Sequence, residues 1–79
     1  MMDRAQLDAA LITAHEAGDH AALVRLYWQA GEEREEAGDI DAACFYYTHA
    51  YVFALESGHE AASELLGRLV RHGRDARVG

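Results

Sequence analysis

Glu36-Ala37-Gly38-Asp39 is the stretch on which the fold of this chain turns. Glycine adopts the left-handed conformation that closes a helix C-terminus. An aspartate directly after it accepts hydrogen bonds from the unpaired N–H groups that open the next helix. The four residues therefore read as a stop followed by a start. Twenty residues earlier stands Glu16-Ala17-Gly18-Asp19, and twenty later Glu56-Ser57-Gly58-His59, where His59 is the weaker opener. Alanine keeps the same period at Ala22, Ala42 and Ala62, and Ala30 and Ala50 are followed by Val70. A fixed period of this size is the mark of a repeated helical unit.

Between punctuation marks lie about 17 residues without a breaker, a helix of roughly 25 Å. The pattern predicts four helices, over 3–17, 20–37, 40–57 and 59–72. Asp3 and Gln6 form an opening capping box for the first. Tight links make consecutive helices antiparallel neighbours. The internal glycines Gly31 and Gly67 mark close helix contacts or weaken their helices.

The faces set the layout. The first helix has one apolar stripe, Leu7, Ala10, Leu11 and Ala14, and so has the fourth, Ala62, Leu65, Leu66, Leu69 and Val70. One stripe means one buried side. The second helix is apolar on two sides, with Leu23, Leu26, Tyr27 and Ala30 on one and Val24, Trp28 and Gly31 on another. The third has a wide stripe of Ile40, Ala43, Cys44, Tyr47, Ala50, Tyr51, Ala54 and Leu55. Its reverse face still shows Phe45, Tyr46, Val52 and Phe53. Outer helices with one stripe and inner helices with two predict a stack of two helical hairpins rather than a closed bundle. The expected fold is all-α, a single domain over 1–79.

Tyr27, Ala30-Gly31, the turn Gly38-Asp39, then Ala43, Tyr47 and Ala50 resemble the signature of the tetratricopeptide repeat. The resemblance covers residues 27–50. Arg34 stands in place of the family's second aromatic, no proline closes the unit, and the hairpin spacing is about 40 residues against the family's 34. It implies a non-enzymatic scaffold that binds another protein or a peptide, and no catalytic residue.

Composition narrows the function further. One cysteine among 79 residues allows neither an internal disulfide nor a cysteine zinc cage. A net charge of −7 argues against binding phosphate backbones, so no nucleic acid is expected. No apolar run reaches membrane-spanning length. No charged-then-apolar leader opens the chain, so the expected location is the cytoplasm. No phosphate loop or serine elbow is present, Cys44 sits on the wide apolar stripe with no base near it, and no cofactor is expected.

Two clusters remain. Glu32, Glu33, Glu35 and Glu36 crowd the end of the second helix, where carboxylates oppose the helix dipole. With Trp28 on the same side, they suggest a partner-binding surface of Trp28, Glu32, Glu35 and Glu36 that selects a basic segment. Such a surface owes nothing to stability. The alternatives are internal compensation, with Arg68, Arg71 and Arg74 emerging at the same end of the molecule, and plain solubility. The second cluster is His15, His20 and His59, expected at one end beside Glu16, Glu56 and Glu60. It carries the alternative of a small His-based metal-binding protein, although no pair of these histidines has the i, i+4 spacing of helical metal motifs. A last alternative is a homodimer built on unburied aromatics.

Overall fold

The computed structural model describes residues 3–73. Its helices are α1 (Arg4–Ala17), α2 (His20–Glu36), α3 (Ile40–Ser57) and α4 (Ala61–Arg71), with no strand among the described residues. The fold is all-α.

The period of twenty is a period in backbone hydrogen bonds. The N–H groups of Asp19, Asp39 and His59 donate back across the helix ends to the carbonyls of Ala14, Arg34 and Ala54, at 3.0, 2.9 and 2.8 Å. Gly18, Gly38 and Gly58 sit between, with φ of 64°, 82° and 66°. A six-to-one bond around a left-handed glycine is the Schellman closure. Each start follows at once. Asp19 and Asp39 accept from the N–H groups of Ala22 and Ala42 at 3.1 and 3.2 Å. Asp3 and Gln6 form the reciprocal capping box, at 2.7 and 3.1 Å.

The third start differs from expectation. α4 opens at Ala61 rather than at 59. The His59 Nδ1 accepts from the N–H two residues on, that of Ala61, at 3.0 Å, where Asp19 and Asp39 accept from the N–H three residues on. Glu60 supplies no side-chain cap.

Links of two and three residues set α1 against α2 and α2 against α3 as antiparallel pairs. Contacts fix the rest. Trp28, Glu32 and Glu35 of α2 meet Arg68 and His72 at the end of α4, in the same chain direction, so α2 and α4 run parallel. His15 near the end of α1 meets Phe53 near the end of α3, so these two also run parallel. The result is two layers of helices in an envelope of 31 × 29 × 19 Å.

The core has two parts. The larger joins α2, α3 and α4 through Val24, Ala43, Cys44, Tyr47, Ala50, Tyr51, Ala54, Ala61, Leu65 and Leu69. The smaller joins α1 to α2 through Ala14, Ala22 and Leu23. Tyr27 and Phe53 pack against both. The two-sided α2 is thus sandwiched, as its sequence required. Small residues let α2 and α3 approach closely: a Cβ on Gly31 would lie 2.5 Å from the Tyr47 ring. Gly67 has open space around it, so it marks no contact. Two residues assigned to buried stripes are exposed instead, Leu55 on α3 and Val70 on α4. Both lie at the edge of their stripe, one position beyond the buried Ala54 and Leu69.

Candidate functional site

The outer end of α2 holds the first candidate surface. Trp28 is half-buried and packs against the larger core. Its indole Nε1 is buried without a hydrogen-bond partner. The Arg68 guanidinium from α4 sits 5.8 Å from the Trp28 ring centroid and 5.7 Å from that of Tyr47, within cation–π range.

Arg68 gathers the acids. Its Nη1 lies 3.2 Å from Glu32 Oε2 and 3.6 Å from Glu35 Oε1, and its Nη2 lies 3.4 Å from Glu64 Oε2. Below it the Tyr47 hydroxyl, on a fully buried side chain, accepts from Arg68 Nη1 at 3.1 Å and donates to Glu35 Oε1 at 3.0 Å. His72 Nε2 bonds the other oxygen of Glu35. The bond from His72, above all, holds the Glu35 carboxyl below the usual carboxylate range. Burial opposes this, and the Tyr47 bond and the Arg68 charge assist it. Burial, first, pushes the Tyr47 phenol up to about 12, and the adjacent Glu35 adds to that against the lowering effect of Arg68.

Three of the four residues read as a partner surface, Trp28, Glu32 and Glu35, therefore converge on Arg68, while Glu36 stands apart and exposed. Glu35 is committed to a clasp that ties α2 and α3 to α4. Glu32 keeps an exposed carboxylate. Of the arginines expected to compensate the glutamates, Arg68 does so, Arg71 makes no ion pair with described residues, and Arg74 lies outside them. The clasp had a legible signal: Arg68 and His72 are an i, i+4 pair and share one face of α4. Arg71 turns a different face to solvent.

The second surface is the outer side of α3. Phe45, Val52 and Leu55 are 58, 45 and 56% exposed, three of the five large apolar side chains that stand in solvent among the described residues. With Thr48 they are spaced 3, 4 and 3 residues apart, at 45, 48, 52 and 55. That is the seam spacing of a helix that packs lengthwise on another helix. His49 adjoins the seam, its ring 4.5 Å from Phe45 and its Nδ1 on the Phe45 carbonyl. Reading the reverse face as four aromatic or branched residues missed this seam. The 4-3 spacing was the signal.

Beside the seam, Tyr46 and Phe53 are half-buried under α1 and α2. Tyr27 stacks on Phe53 at 5.9 Å and tilts toward His49 at 5.1 Å and Tyr46 at 6.3 Å. Burial, then the neighbouring Tyr46, pushes the Tyr27 phenol up. His15 and His20 close this aromatic row against Phe53, at 5.6 and 5.8 Å. His59 is engaged as the α4 cap. The three turn histidines do not converge, and no cluster of three or more His, Cys, Asp or Glu side chains that could hold a metal ion occurs among the described residues. Cys44 is buried. No described helix is long and apolar enough to cross a membrane.

No family model matches the chain, and no curated protein or solved structure matches it either.

Proposed function

We propose that this chain is a non-enzymatic, tetratricopeptide-like interaction module that binds a segment of another protein in the cytoplasm. One observation carries the reading: the seam on α3, where Phe45, Val52 and Leu55 stand exposed around the half-buried Thr48 and gather on one face three of the five exposed large apolar side chains among the described residues. Exposed apolar side chains grouped on one face, unlike scattered ones, mark interaction sites. The α2–α3 hairpin behind the seam is held by the close approach of Gly31 to Tyr47, two of the residues that carry the family resemblance. The outer face of α2, with Glu32 and Glu36 exposed, contributes an acidic field that draws a basic partner.

Photo-crosslinking in the source cells tests this. Benzoylphenylalanine replaces Phe45 in one variant and Glu36 in another. The expected result is an adduct between the chain and a different protein from position 45, weaker from position 36. An adduct of twice the chain's mass would point to the homodimer instead. Absence of any adduct from position 45 removes the reading.

A further inference from the structure

Resting on that reading, we infer that the occupant of the α3 seam is a single amphipathic helix with basic flanks, supplied by another protein. Two features of the structure select it. The first is geometry. Residues 45, 48, 52 and 55 make a stripe two side chains wide, which runs about 15 Å along α3. A stripe this narrow and this long matches the footprint of one helix laid lengthwise. Thr48 sits in the middle of it, half-buried and bonded to the Cys44 carbonyl at 2.8 Å, so the seam is apolar at its ends and small at its centre. A knob from a facing helix fits over such a low point.

The second feature is charge. α3 carries Asp41 and Glu56 and no lysine or arginine. Glu56 follows Leu55 directly and is exposed, and Glu60 is exposed in the next turn. Flanking charges on packed helices set partner choice. A second copy of this chain would set acid against acid across the seam. It would do so in either orientation, because the carboxylates Asp41 and Glu56 are the only Asp, Glu, Lys or Arg side chains on α3, and each copy brings a net charge of −7. A helix with lysine or arginine beside its apolar stripe meets Glu56, next to the seam residue Leu55, with the opposite sign.

The test uses two synthetic peptides of three heptads with leucine at both seam positions, one with lysine and one with glutamate at the flanks. Each is titrated into the isotopically labelled protein at low salt and followed by amide chemical shifts. The lysine peptide is expected to bind at least about tenfold more tightly than the glutamate peptide. Its shifts should centre on Phe45, Thr48, Val52 and Leu55. Its affinity should fall as ionic strength rises past about 0.15 M. A Phe45→Glu/Val52→Glu variant with an unchanged far-ultraviolet spectrum should lose the response. Equal affinity for the two peptides, no binding by either, or shifts confined to Glu32 and Glu36 on α2 would each overturn the inference. The crosslink from position 45 separates the two levels. A heterologous adduct alongside a failed peptide titration removes the basic helix and leaves the interaction module standing. No adduct removes both.

Discussion

At Gly31 the absent side chain is what lets α2 lie against α3. An added Cβ would stand 2.5–2.6 Å from two carbons of the Tyr47 ring, and that ring is fully buried and pinned at its hydroxyl by Glu35 and Arg68. Alanine is the better helix former by about 1 kcal/mol, but a clash in a packed core costs about 1–3 kcal/mol. Gly31→Ala is therefore expected to destabilise on balance. Gly67→Ala, where no atom lies within 4 Å, should stabilise by about 0.5–1 kcal/mol. Urea denaturation of the two variants checks both signs together. The clasp gives a second prediction. The depressed Glu35 carboxyl stabilises the fold above its unfolded value near 4.5, and that contribution drains as pH falls through the folded value. The raised Tyr47 phenol contributes fully below its ordinary value near 10, and its share is lost as pH rises toward about 12. Thermal melts across pH should show both limbs. Glu35→Gln should flatten part of the acid limb and Tyr47→Phe part of the alkaline one. At neutral pH, Tyr47→Phe should cost about 1–2 kcal/mol, the ordinary price of a buried hydrogen-bonded hydroxyl.

Among the elements, the caps decide where each helix begins. Asp39→Ala removes the acceptor for the Ala42 N–H and should cost about 0.5–2 kcal/mol. Gly38→Val forces a β-branched residue toward a φ of 82°, a region such residues avoid, and should cost more. His59 is the exception in the period. His59→Asp should replace the ring's bond to the Ala61 N–H with a carboxylate cap of the kind seen at Asp19 and Asp39, and raise stability by about 0.5 kcal/mol. Calorimetry of these three variants tests the stop-and-start basis of the fold. This is the scale at which the sequence was most legible. Three glycines with openers behind them located three links and most helix ends, because the capping chemistry is local. The start of α4 was misplaced for the same reason: a histidine caps by a route that spacing alone does not reveal. The long-range clasp was harder to read. Glu35, Tyr47, Arg68 and His72 come from three helices, and only the parallel course of α2 and α4 brings them together. Glutamates at the end of α2 that looked available for a ligand are, in the case of Glu35, bound within the molecule.

For the molecule as a whole, the consequence is a division of surfaces. The α2 side is polar and partly closed on itself through Arg68. The α3 side is apolar, narrow and open. Charge separates an external partner from a second copy, since every copy carries −7 and α3 carries two carboxylates and no lysine or arginine. The measurement that bears most directly on this account is the mass in solution by light scattering, made over a wide range of protein concentration on the parent and on the Phe45→Glu/Val52→Glu variant. A monomer of 8.7 kDa in both is the predicted result. A stable dimer of the parent that falls apart in the variant would contradict it, because the α3 seam would then be occupied by the chain's own second copy.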